Sequence, residues 1–161
     1  LRSEFPGKQI SADLFGLTTV DFGDLGIGQR FQFALPHFDH IAPMVYPSHY
    51  ASGVFGFANP AEHPYEIVKR SLEGAVGQIK AYQAAHASTT SPAASSEIPT
   101  AKLRPWLQDF DLGATYTAEM VHDQIRAVAE VASSSPELVS GWMLWNPANV
   151  YTKGALAPDE R

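Results

Sequence analysis

Cysteine is missing altogether, so disulfides and thiolate chemistry are excluded and the redox compartment stays open. No apolar run approaches the roughly 20 residues that span a bilayer, and no signal-peptide pattern is present. Basic residues are in short supply: 11 Lys and Arg stand against 17 Asp and Glu, for a formal net charge of −6. That balance argues against nucleic acid or an anionic membrane as the main partner, and it says nothing about fold. An initiator methionine is also lacking, since the chain starts at Leu1; removal of an upstream signal or domain is the expectation. What is there suits one globular domain. The 161 residues are 45% hydrophobic and 11% aromatic, enough for a real core.

Four stretches read as strands that turn polar or aromatic toward one end. The first is Gln9-Ile10-Ser11-Ala12-Asp13-Leu14-Phe15-Gly16, with Ile10, Ala12 and Leu14 on one face and Ser11, Asp13 and Phe15 on the other. The second, His40-Ile41-Ala42-Pro43-Met44-Val45-Tyr46-Pro47-Ser48-His49-Tyr50, opens apolar and ends in rings, hydroxyls and imidazole. The third is Leu103-Arg104-Pro105-Trp106-Leu107-Gln108-Asp109-Phe110, and the fourth is Gly141-Trp142-Met143-Leu144-Trp145-Asn146. Between them lie helical patterns. Phe31, Ala34, Leu35 and Phe38 fit a short helix. Pro64 opens a longer one, striped by Ile67, Val68, Leu72, Ala75, Val76, Ile79 and Tyr82. Thr117 is a fitting N-cap for a third helix with Val121, Ile125, Val128, Ala129 and Ala132 on one face. Residues 84–101, almost all Ala, Ser, Thr and Pro, read as a flexible insertion at the rim. The tail from Thr152 is polar.

Strands alternating with helices imply a parallel sheet with right-handed crossovers. A full (β/α)8 barrel takes about 250 residues. Four strands make about half of one, so the expected fold is an α/β, parallel (β/α) half-barrel in a single domain, 1–161. Such a half leaves two sheet edges and one inner face uncovered. Ile10, Met44, Leu107 and Leu144 are expected on that inner face, and pairing with another half is expected to shield them.

The segments Ser11-Ala12-Asp13-Leu14-Phe15-Gly16, Gly26-Ile27-Gly28-Gln29, Pro43-Met44-Val45-Tyr46-Pro47-Ser48-His49-Tyr50, Arg104-Pro105-Trp106-Leu107-Gln108-Asp109-Phe110 and Gly141-Trp142-Met143-Leu144-Trp145-Asn146 occur in that order. Together they resemble the bacterial family of putative glycosyl hydrolase domains, whose members look like TIM barrels. The resemblance covers nearly all of the chain outside the Ala/Ser insertion and corresponds to the C-terminal half, strands five to eight. It implies a glycoside hydrolase acting on a poly- or oligosaccharide. The acidic motif that ends the family's fourth strand, of the Phe-Asp-Tyr-Ile-Arg-Phe-Pro type, does not occur here. The isolated 161-residue piece is therefore expected to be inactive and to pair with a missing N-terminal half-barrel or a second copy. An exported or cell-envelope location fits this reading.

Glycoside hydrolysis ordinarily takes two carboxyl groups, about 5–5.5 Å apart for retention or about 6.5–9.5 Å for inversion. Asp13 and Asp109 are the catalytic candidates because both lie near strand ends. As a general acid, Asp13 needs partial burial, which Phe15 and the Tyr46 ring are placed to supply. Asp109 shares its face with Leu103 and Leu107, so Gln108 points inward and Asp109 is better fitted to anchor a helix or loop than to catalyse. Tyr46, Ser48, His49, Arg104, Trp106, Gln108, Trp145 and Asn146 are the candidates for holding sugar. Ser48 and His49 are not expected to form a nucleophile pair, since adjacent strand residues face opposite ways. Trp106, Trp142 and Trp145 suit stacking on pyranose faces; Trp145 is expected at the site, Trp142 less so, and Trp106 on the inward face. His37, Asp39 and His40 straddle a turn without a fourth ligand, so neither metal nor cofactor is expected. Gly23-x-x-Gly26-x-Gly28 lacks the order of a dinucleotide-binding loop. A carbohydrate-binding module without catalysis and a half-barrel assembly module are the alternative readings.

Overall fold

The computed structural model describes residues 2–87 and 100–156. Its strands are β1 (Ser11–Phe15), β2 (His40–Val45), β3 (Lys102–Leu103), β4 (Trp106–Gln108) and β5 (Met143–Trp145). Its α-helices are α1 (Phe31–Ala34), α2 (Pro64–Ala87) and α3 (Ala118–Ser134). All strand pairings are parallel, in the order β1-β2-β4-β5, with β3 also on β2. β3 and β4 are two pieces of the expected third strand. Pro105 has no N–H to give to a ladder, and the strand is interrupted at Arg104-Pro105. The architecture is the α/β parallel half-barrel, with β1 and β5 as its outer strands.

The register sorts every strand residue onto one of two faces. Ala12, Leu14, Ile41, Pro43, Val45, Leu103, Leu107 and Leu144 fall on one side. There Ile41, Val45, Leu103 and Leu107 pack with Ile67, Leu72, Ile79 and Val128, all within one buried cluster. Burying one such side chain stabilises by roughly 1.5–3 kcal/mol, which is why the stripes of α2 and α3 lie against this face. The expectation that Leu107 and Leu144 line the inner face is corrected. Leu107 is completely buried on the helix side and Leu144 packs against the same core, because the alternation within β4 and β5 puts Trp106 and Gln108, Met143 and Trp145 opposite. Met44, paired with Trp106, does lie on the inner side.

Helix starts follow local chemistry. Pro64 opens α2, and the Thr117 side chain accepts from Met120 N–H to cap α3. After β1 the chain makes a 3-10 turn (Gly16–Thr19) that seats on α2. Gln78 donates to the Thr18 and Thr19 carbonyls at 2.9 and 2.8 Å. Gly74 is required at that contact, because a Cβ there would lie 2.7 Å from the Thr19 carbonyl oxygen.

The two ends of the stretch 84–101 belong to the packed fold. Residues 84–87 complete α2. Ala101 is buried, and its N–H donates to Leu35. Residues 88–99 lie outside the described residues. Within the tail, Lys153–Leu156 forms a 3-10 turn that buries Ala155, and residues 157–161 lie outside the described residues. No helix among the described residues is long and apolar enough to cross a membrane.

Candidate functional site

Among the described residues the other face of the sheet carries no helix. In register across it stand Ser11 with His40, Asp13 with Ala42, Phe15 and Trp106 with Met44, Trp106 with Met143, and Gln108 with Trp145. Toward the C-terminal ends of the strands this face turns polar and aromatic. Asp13 is exposed, and its carboxylate accepts from Trp106 Nε1 at 3.1 Å. The Trp106 ring meets Trp145 edge-on, centroids 6.1 Å apart. Trp145 is 42% exposed at the end of β5. The partial burial expected of Asp13 is absent: the residue is exposed and its carboxylate meets only the Trp106 indole among the hydrogen bonds of the described residues.

Tyr46 leaves β2 into a 3-10 turn, Pro47–His49. Its ring stands edge-on to His49 at 5.3 Å and to Phe110 at 5.6 Å. Burial pushes the Tyr46 phenol up to about 12, and the negative charge of Asp13 adds to the shift. The phenol is thus a neutral donor at physiological pH, within the field of the carboxylate.

Because residues 47–49 turn instead of continuing the strand, Ser48 and His49 do meet. Ser48 Oγ lies 3.0 Å from His49 Nδ1. The strand-alternation argument against their contact is therefore corrected. Ser48 also donates to Gln108 Oε1 through its hydroxyl (2.9 Å) and its main-chain N–H (3.1 Å). Gln108 is fully buried and donates from Nε2 to the Phe110 carbonyl at 2.9 Å. Beneath it, Gln124 of α3 brackets the Gln108 main chain, accepting from N–H at 2.9 Å and donating to C=O at 2.7 Å.

Asp109 faces the other way. It is 3% exposed, and its carboxylate accepts from Thr152 N–H at 2.8 Å and Thr152 Oγ1 at 2.7 Å. Asn146 donates to the Asp109 carbonyl and accepts from Ala148 N–H at 2.8 Å. Both side chains tie down the segment after β5. Arg104 lies at the opposite end of the open face, in a cleft of ≈ 140 Å³ with Gln9, Ser11, His40, Ala42 and Met143. Trp142 packs against the helix-side core.

The structure thus brings together Asp13, Tyr46, Ser48, His49, Trp106, Gln108 and Trp145, and sets Asp109, Asn146 and Arg104 apart from them. Phe110, which walls Tyr46 and His49, and Gln124, which fixes Gln108, escaped the sequence reading. Gln124 had a signal, an amide on the apolar stripe of α3. Asp39 accepts from Ile10 N–H at 2.7 Å and pairs with Arg2 at 3.2 Å, contacts that hold its carboxyl below the usual range. Among the described residues no group of three or more His, Cys, Asp or Glu could hold a metal ion.

Comparison with known proteins agrees with this geometry at the level of family. No curated protein and no solved structure matches the chain. A family model described as "Putative glycosyl hydrolase domain" matches residues 4–151, nearly the whole length. The chain belongs to that family.

Proposed function

We propose that the C-terminal end of the open face binds a poly- or oligosaccharide and hydrolyses a glycosidic bond, as strands five to eight of a TIM-barrel glycoside hydrolase. One observation carries this reading: a carboxylate, Asp13, is held by one indole and followed by a second, Trp145, at the C-terminal ends of parallel strands. That is where barrel enzymes build their sites, and exposed indoles offer flat apolar faces with polar edges to a wet ligand.

Asp13 serves as the carboxylate that attacks the sugar or activates water, rather than as the proton donor. Solvent access and the Trp106 hydrogen bond support this assignment. The second carboxyl group comes from across the open face, since Asp109 is committed to Thr152. A missing N-terminal half-barrel, or less simply a second copy, supplies that group and covers the lower part of the face.

The test is turnover by the full-length protein and its Asp13→Asn variant on unactivated oligosaccharides and on activated aryl glycosides. Loss on the order of 10²–10⁴-fold on both substrates is expected for an acid/base or nucleophilic group. A variant that spares the aryl glycosides makes Asp13 the general acid instead. Equal turnover on the unactivated substrate removes Asp13 from the mechanism. A binding module then becomes the better reading, one favoured by Asp13 being the one exposed carboxylate at the described strand ends.

A further inference from the structure

The hydrogen bonds around Gln108 determine which nitrogen of His49 carries the proton. Two main-chain groups beside it have roles that cannot change. Ser48 N–H can only donate and the Phe110 carbonyl can only accept. Gln108 lies between them, Oε1 3.1 Å from Ser48 N and Nε2 2.9 Å from Phe110 O. Turning the amide over would set donor against donor and acceptor against acceptor in a fully buried residue, so its orientation is fixed. Oε1 therefore faces the Ser48 hydroxyl at 2.9 Å, and that hydroxyl must donate to it. Its single proton is then used. Only lone pairs remain for His49 Nδ1, 3.0 Å away, and Nδ1 must be the N–H.

We infer that His49 stands in the site as the Nδ1–H tautomer, set by Ser48 and Gln108, so that its Nε2 presents a lone pair to a hydroxyl of the ligand. The ring is exposed, and Nε2 has no hydrogen-bond partner among the described residues. Edge contacts with Tyr46 at 5.3 Å and Phe110 at 6.2 Å hold its plane. The same chain of bonds rules out a serine nucleophile, because His49 gives a proton to Ser48 Oγ and cannot take one from it. Ser48 and Gln108 are positioning residues. His49 is the group that touches the ligand, and that ligand's identity as a sugar hydroxyl rests on the proposed function.

The tautomer is measurable without any sugar. Full-length protein labelled with 15N-histidine, at a pH where the ring is neutral, gives long-range 1H–15N correlations, with His49 assigned by its absence in His49→Gln. The expected pattern is a protonated Nδ1 and a bare Nε2, the reverse of the preference of a free imidazole side chain. Ser48→Ala removes the acceptor and should return the ring to Nε2–H, whereas Ser48→Thr keeps the hydroxyl and should keep the pattern. Protonated Nε2 in the parent, or an unchanged ring in Ser48→Ala, overturns the inference. On oligosaccharide, Ser48→Ala should lose about tenfold in kcat/KM, the worth of one hydrogen bond of about 1.4 kcal/mol, chiefly through KM, with Ser48→Thr near the parent. The expected tautomer in a protein that turns over no glycoside would refute the sugar reading and the ligand with it, leaving the ring assignment standing.

Discussion

Leu107 and Gln108 are neighbours in one short strand, both fully buried, yet they belong to opposite sides of the molecule. Leu107 enters the helix layer with Ile41, Val45 and Val128; Gln108 faces Trp145 across the bare side of the sheet. The helix side is closed within this chain and made almost wholly of aliphatic groups. The open side carries Asp13, Trp106 and Trp145, which touch one another at the strand ends and have no helix over them among the described residues. The proposed binding on the open face rests on this division, with packing confined to one side and polar and aromatic groups kept to the other.

If the division is real, substitutions on the two faces should fail differently. Leu107→Ala should cost about 2–5 kcal/mol of stability by cavity formation, seen as a lowered denaturation midpoint. Trp145→Ala on the open rim should stay within about 0.5 kcal/mol of the parent, while weakening oligosaccharide binding. Equal destabilisation by both would break the comparison. Gln124→Leu lies where the faces communicate. It strips the Gln108 N–H and C=O of their partners, at about 1–3 kcal/mol for each buried group left unpaired, and should disturb the His49 resonances although Gln124 touches neither His49 nor Ser48.

Tyr116 tests the helix side more finely. Its hydroxyl is buried without a hydrogen-bond partner, and burial pushes the phenol well above its usual range. Tyr116→Phe should therefore be neutral or stabilising by up to about 1 kcal/mol. The smallest effect is expected on the outer surface. Tyr65 donates to Glu130 at 2.5 Å and Lys69 pairs with it at 2.9 Å, joining α2 to α3. These bonds lower the Glu130 carboxyl from its ordinary 4.5. A lowered native value means the contribution is present above the unfolded value and is lost as pH falls through the native one. Stability curves of parent and Glu130→Gln should accordingly differ slightly at neutral pH and converge in acid. A gap that widens on acidification would reverse the sign.

Much of the fold was legible because its signals are local. Pro64 and Thr117 mark helix starts, and the aliphatic stripes of α2 and α3 carry the 3.6-residue period. The alternation Ser11-Ala12-Asp13-Leu14 separated the faces of β1 correctly. Reading Leu107 and Leu144 as inner residues failed because hydrophobicity alone does not say which apolar face a strand shows to its helices. The register with Val45 and Trp106 decides it. The Ser48–His49 contact was illegible for a related reason: periodicity gives strand direction only while the strand lasts, and β2 ends at Val45. The tether of Thr152 to Asp109 spans 43 positions, and no spacing rule foresees a contact of that range.

The three tryptophans allow the central claim to be tested at once, because Trp142 sits on the helix side and Trp106 and Trp145 on the open one. The measurement is the 1H–15N indole spectrum of the full-length protein during titration with soluble gluco-, xylo-, manno-, galacto- and chito-oligosaccharides. The account predicts that at least one of these sugars moves the Trp106 and Trp145 indole signals together, leaves Trp142 in place, and loses its effect on Trp106 in Trp145→Ala. Saturating shifts at Trp142 alone, or none at any indole across the panel, would contradict it.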